Sequence, residues 1–305
     1  MAADGNRRVV IAAFLANVGV AVAKFTGYAL TGAASLLAEA VHSVADSGNQ
    51  LLLIFGGYRA RREASEEHPF GYARERYFWA FMVAVVLFTM GSLFAIVEGW
   101  QKLQHPEPLE SPAWAIGVLL FAMVVEGGAL RYAVGKARKL RGEESWLAFV
   151  RHSKNPEIAV ILLEDFGALT GILLALVCVG LALWTGDARW DAVGSLAIGV
   201  LLGVIAALMG TEMKSLLIGE SASRSEERVI RSTVESHASV RRIIHLRTQH
   251  LGPEELLVGA KVEFDGAIAM DELTRAIDEI EEQLRTHTAA SLIYIEPDVH
   301  ADPRD

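Results

Sequence analysis

The sequence has a single cysteine, Cys178, which excludes a disulfide framework and a cysteine-rich metal cluster. That residue lies inside an apolar run and reads as a small packing residue. Excess basic charge is also missing. The 28 Lys and Arg stand against 37 Asp and Glu, a formal net charge of -9, so the chain would repel phosphate and no nucleic-acid partner is expected. Residues 1–8 show neither a cleavable signal nor an Arg- and Ser-rich transit peptide, so the first apolar run is expected to act as an uncleaved insertion signal. With no organelle-targeting segment visible, the expected location is the plasma membrane. The most informative scarcity is charge itself: long stretches before Gly219 carry almost none, whereas the segment after it is densely charged. At 52% hydrophobic residues and a mean hydropathy of +0.32, the chain is too apolar for an ordinary soluble protein of its size. The composition shift divides a lipid-solvated part, residues 1–219, from a water-solvated part, residues 220–305.

A helix that crosses the hydrocarbon core needs roughly 20 mostly apolar residues. Six stretches qualify, at about 9–30, 35–58, 77–97, 114–134, 158–183 and 192–218. Backbone groups in lipid need internal partners, so these read as helices and not strands. Basic residues fix the orientation. Arg7 and Arg8 precede the first span. Arg59, Arg61, Arg62, Arg74 and Arg76 follow the second, and Lys136, Arg138, Lys139, Arg141, Arg151 and Lys154 follow the fourth. The opposite loops hold little more than Lys102 and Arg189, so a multi-pass protein with both termini cytoplasmic is expected.

The tail predicts an amphipathic helix at 224–236, with Val229, Ile230 and Val234 on one side. Strands follow at 240–251 and 256–264, joined at Gly252-Pro253, the second alternating at period two through Val258, Ala260, Val262 and Phe264. A helix at 271–285 and a short strand at 292–295, before Pro297, complete an α-β-β-α-β order suited to an open-faced sandwich. About 80 residues fold only marginally alone, and pairing with a second copy would bury more surface.

Ionisable groups within a span are costly and therefore candidates for function. The second span holds Glu39, His42, Asp46, Asn49 and Gln50. His42 and Asp46 are four apart, one turn along a single helix face that Asn49 continues. An imidazole nitrogen and a carboxylate so placed can bind one divalent ion of the zinc type. The fifth span brings two adjacent acids, Glu164 and Asp165, about 100° apart on a helix. His42, Asp46 and Asp165 together supply one neutral nitrogen and two negative charges, and are expected to converge on one dehydrated ion. Glu164, Asn49 or water can fill the remaining position. Zinc needs neutral imidazole and ionised carboxylate, so protons, which an unperturbed imidazole exchanges near pH 6.5, compete for the same groups. Glu126 in the fourth span suits a proton carrier or a structural hydrogen bond. Asn17 and Lys24 in the first span read as structural or snorkelling.

These residues carry a resemblance to the cation diffusion facilitator family of zinc transporters. It rests on the second-span stretch SLLAEAVHSVADSGNQ, the loop HPFGYARERYFW and the closing KSLLIGE, and it covers nearly the whole chain. The LLED motif of the fifth span and the Glu126-Gly127-Gly128 stretch resemble the branch that includes the human mitochondrial zinc exporter. The resemblance implies six transmembrane helices followed by a ferredoxin-like α+β cytoplasmic domain. It also implies a homodimer moving Zn²⁺, or Mn²⁺, Fe²⁺ or Co²⁺, out of the cytoplasm in exchange for protons, with no permanent cofactor. The family carries two ligands four apart on the second span and two on the fifth. His42, Asp46 and Asp165 match three of these, and Ile161 stands where the fourth, a His, is usual. In the loop, His68 matches a ligand of a second family site, but Tyr72 and Ser65 replace its partners. In the tail, Ile244, Lys261 and Ile295 occupy positions where some relatives carry histidines. His237, His245, His250, His287 and His300 are scattered and read as solvated. Two rival classes are a metal-dependent intramembrane enzyme and a membrane scaffold whose soluble domain binds partners. Against the enzyme, no nucleophile stands beside a base and no acid-rich phosphotransferase repeat occurs. The scaffold predicts that His42 and Asp46 can be replaced without effect.

Overall fold

The computed structural model describes residues 2–142 and 145–298, with side chains from Asn17 onward apart from those of residues 139, 140, 147, 151 and 152. His300 and the side chains of Arg7, Arg8, Lys139 and Arg151 lie outside the described residues. The chain divides into two compact units, Met1–Tyr58 with Arg76–Lys214, and Arg59–Glu75 with Ser215–Asp305.

The first unit is helical. It comprises α1 (Ala2–Thr31), α2 (Ala34–Arg59), α3 (Glu75–Val86), a π-helical stretch (Leu87–Leu93) continuing into α4 (Phe94–Gln104), α5 (Pro112–Arg141), a short α6 (Trp146–His152), α7 (Pro156–Thr185) and α8 (Arg189–Ile218). Pro112 and Pro156 start their helices where no backbone N–H is required. Gly186, at φ 72°, ends α7 in the left-handed conformation that other residues adopt at a cost. Among the described residues, four helices are long and apolar enough to cross a membrane: Glu75–Gln104, Pro112–Arg138, Pro156–Thr185 and Arg189–Ile218. By composition α2 falls outside that group, because Glu39, His42, Asp46, Asn49 and Gln50 crowd its middle.

Small residues let these helices approach closely. A side chain at Gly99 of α4 would strike Leu196 and the Ala192 carbonyl of α8, and one at Gly199 would strike Ile96 and the Ser92 carbonyl. Cys178 packs, buried, against Gly194. Where α1 turns into α2, the Asp191 carboxylate of α8 accepts the N–H groups of Ala34 and Ser35 at 2.7 and 3.2 Å, and the Ser35 hydroxyl as well. A residue 157 positions away along the chain from Ala34 thus caps α2. Lys102 of α4, counted with the opposite loops in the sequence, pairs with Asp191 at 3.1 Å and donates to the Gly32 carbonyl, half of a buried clasp.

The second unit follows the α-β-β-α-β order: α9 (Arg224–Glu235), β1 (Val240–Gly252), β2 (Glu255–Phe264), α10 (Met270–His287) and β3 (Ala290–Asp298). The sheet runs β1-β2-β3, antiparallel between β1 and β2 and parallel between β2 and β3. Leu256, Val258, Val262 and Phe264 pack with Ile230 and Val234 of α9 and with Ile280 and Leu284 of α10. Ser223 and Glu226 form a reciprocal capping box at the start of α9. Val229 departs from the expected core face and is 39% exposed, because Ile230 and Val234 already fill the stripe. The last strand runs through Pro297 instead of stopping before it; as an edge strand, β3 tolerates a residue without an N–H.

This unit also takes in the loop after α2, where Ala73 lies against Gly252. There the His68 and Tyr72 rings stack at 4.6 Å, the Tyr72 and Ser65 hydroxyls are 3.1 Å apart, and Arg62 lies 4.8 Å over the Tyr72 ring. Not every tail histidine is solvated. His250 is 1% exposed, because it ends β1 on the covered side of the sheet, with its Nε2 3.9 Å from Glu226.

Candidate metal centre

The polar face of α2 turns inward. Glu39, His42 and Asn49 are fully buried, and Ser43 nearly so. The four-residue spacing brings His42 Nδ1 to 3.4 Å from Asp46 Oδ1. One turn further, Asn49 Nδ2 donates to Glu164 Oε1 of α7 at 2.6 Å. Both nitrogens of His42, Asp46 Oδ1 and Asn49 Oδ1 are buried without a hydrogen-bond partner among the described residues. Buried polar atoms are rarely left unsatisfied, and a cluster of them marks a place where a ligand is expected to supply the missing contacts.

On α7 the two adjacent acids differ in their surroundings. Glu164 is buried at 5% exposure and faces Asn49, while Asp165 is half-buried. Asp165 lies within electrostatic reach of Glu126 on α5 and of Asp46. The reason is the 100° step between neighbours on a helix: one of two adjacent acids can face α2, and the rotation of α7 places Glu164 there. Ile161, on the Asp165 side one turn earlier, is 37% exposed. The expected convergence of His42, Asp46 and Asp165 is therefore not seen. Among the described residues, no three His, Cys, Asp or Glu side chains lie close enough together to hold a metal ion in this conformation. His42 with Asp46, and Glu164 with Asn49, form two adjacent pairs and not one closed cluster.

Of the two expected roles for Lys24, structural or snorkelling, the structure shows the first. The side chain does not snorkel: it is fully buried, 3.0 Å from Glu39 Oε2, 2.7 Å from Ser43 Oγ and 3.7 Å from Glu126 Oε1. Glu126, expected to carry protons or make a structural hydrogen bond, is here paired with that ammonium. A signal was present in the surplus of acids on the second, fourth and fifth spans, which calls for a buried cation. Arg76 donates to Glu157 at 2.8 Å, tying α3 to the start of α7.

Residues 10–218 match the sequence profile described as the cation efflux transmembrane domain. The mitochondrial proton-coupled zinc antiporter of Mus musculus is 34% identical over 266 residues, 87% of this chain and 47% of that protein. Its Homo sapiens counterpart is 32% identical over 92% of this chain and 52% of its own length. The cation-efflux pump FieF of Pectobacterium atrosepticum is 28% identical over 90% of this chain and 84% of its own. The chain spans about half the length of the mouse and human relatives it matches. These mitochondrial relatives overturn the expected plasma-membrane location. That expectation rested on a targeting segment not being visible, which carries no weight in a chain that covers only part of its relatives. With its profile match covering most of its length and its mouse and human relatives above 30% identity, the chain belongs to the cation efflux family.

Proposed function

We propose that this chain carries a divalent metal ion, Zn²⁺ by default, across a membrane in exchange for protons, by alternating access around His42 and Asp46 on α2 and Glu164 and Asp165 on α7. The observation that carries the reading is the set of buried, unsatisfied atoms on His42, Asp46 and Asn49, opposite the α7 acids. A mixed imidazole and carboxylate set suits zinc, and the general order of divalent affinities favours zinc over manganese or iron at such a site. The relatives named as proton-coupled zinc antiporters support the same cargo and the same exchange. Because the metal needs a neutral imidazole and ionised carboxylates, its arrival displaces protons and its departure readmits them.

The two pairs now held apart give the site a way to close. Once Glu164 leaves Asn49, it can join His42 and Asp46 at one ion, with Asp165 or Asn49 completing the set. The membrane part is proposed as residues 1–219 with six spans, α1 and the polar α2 joining the four apolar helices. Residues 220–305 are proposed as a ferredoxin-like domain that joins two copies into a homodimer. Both termini share the side that carries the basic loops, and the cargo moves away from that side. Zinc uptake into proteoliposomes tests the reading. His42→Ala and Asp46→Ala are each expected to lower the initial rate at least about 100-fold, as removal of a metal ligand or its partner does. Wild-type rates in either variant would remove the site.

A further inference from the structure

The transport reading uses His42, Asp46 and the α7 acids, and leaves a second buried charge centre unexplained. Lys24 enters it from α1, Glu39 and Ser43 from α2, and Glu126 from α5; the ammonium lies 3.0 Å from Glu39 Oε2, 2.7 Å from Ser43 Oγ and 3.7 Å from Glu126 Oε1. Lys24 and Glu39 are fully buried and Glu126 is 6% exposed. Charges so far from water persist only when paired, and a carboxylate pair stripped of its cation demands another. Among the described residues Glu39 Oε1 has no hydrogen-bond partner, and it lies against Gly171 of α7, where any larger residue would collide with it. An oxygen-lined pocket of two carboxylates and a hydroxyl is a cation site by its chemistry, and here the cation is tethered to the chain. It lies along α2 from the cargo site, since Glu39 precedes His42 by three residues.

We propose that Lys24 is a positioning residue for transport: its ammonium fills a carboxylate site that would otherwise take a second metal ion, so that the cargo is held by His42, Asp46 and the α7 acids alone. The inference rests on the transport reading above. A lysine that merely braced three helices would change stability when replaced, but not the number of ions bound.

The test measures zinc bound per chain at equilibrium and zinc uptake by proteoliposomes, with the full chain, for wild type, Lys24→Arg, Lys24→Met and Lys24→Met/Glu39→Gln. Lys24→Met is expected to bind one zinc ion more per chain than wild type and to transport at least about tenfold more slowly at saturating zinc, a loss in the turnover step. Lys24→Arg keeps the wild-type count, because it keeps the charge. The double variant, with one acid left in the pocket, returns to the wild-type count and to a rate within about fivefold of it. Lys24→Met with the wild-type count, whatever its rate, overturns the proposal. Should Lys24→Met not fold, the double variant decides alone: recovery of rate supports the tethered charge, and a rate still more than about tenfold down overturns it. Wild type that takes up no zinc would instead sink the transport reading itself.

Discussion

At the residue scale, the two α7 acids differ in burial and in partner. Glu164 is buried and bonded to Asn49, whereas Asp165, one residue on, is half-buried. Replacing Glu164 with Gln should therefore cost zinc uptake more than replacing Asp165 with Asn. The expected losses are about 100-fold for the first and about tenfold for the second, since a ligand contributes more than a nearby charge. Initial rates in proteoliposomes at several zinc concentrations check the ranking, and the reverse order would restore Asp165 as the principal α7 ligand. His42 and Asp46 were legible because helical spacing alone brings residues four apart together. The choice between two adjacent acids was not, because it depends on how α7 is rotated against α2, which no local pattern encodes. For Lys24 the sequence left a structural role and snorkelling both open, for a related reason. A lysine in a span snorkels unless neighbouring helices offer it carboxylates, and Glu39 and Glu126 come from elements 15 and 102 residues away along the chain.

At the element scale, the start of α2 depends on a residue outside it. Asp191 satisfies the N–H groups of Ala34 and Ser35 and pairs with Lys102, joining α2, α4 and α8 at one end of the helical unit. Asp191→Ala leaves two backbone donors without their acceptor and the buried Lys102 ammonium with the Gly32 carbonyl but no counter-ion. It is expected to destabilise the helical unit by about 3–5 kcal/mol, as removal of one partner from a buried ion pair does. Unfolding in detergent, followed by fluorescence, should show a lowered midpoint, and an unchanged midpoint would mean that water replaces the clasp. Helix positions in this unit were legible from long apolar runs, because lipid imposes length and internal hydrogen bonding on any span. The π-helical stretch at Leu87–Leu93 was not legible. It lies where Gly91 packs against Leu202, a tertiary contact without a sequence period.

At the scale of the whole molecule, two compact units share one chain. Alternation in β2 and helical spacing in α10 made the second unit readable from its sequence, because half-buried elements must present one apolar face. That the loop Arg59–Glu75 clusters with this unit was not readable, since it follows from a contact between Ala73 and Gly252 across 179 positions. The family match, the buried unsatisfied atoms on α2 and the acids of α7 all lead to one claim, that zinc and protons take turns at a single intramembrane site. The most direct test is an inward zinc gradient imposed on proteoliposomes loaded with a pH-sensitive dye. The account predicts a lumenal pH rise that follows zinc influx in wild type and vanishes, together with that influx, in His42→Ala/Asp46→Ala. Zinc influx with no pH change in wild type, or an equal pH response in the double variant, would contradict it.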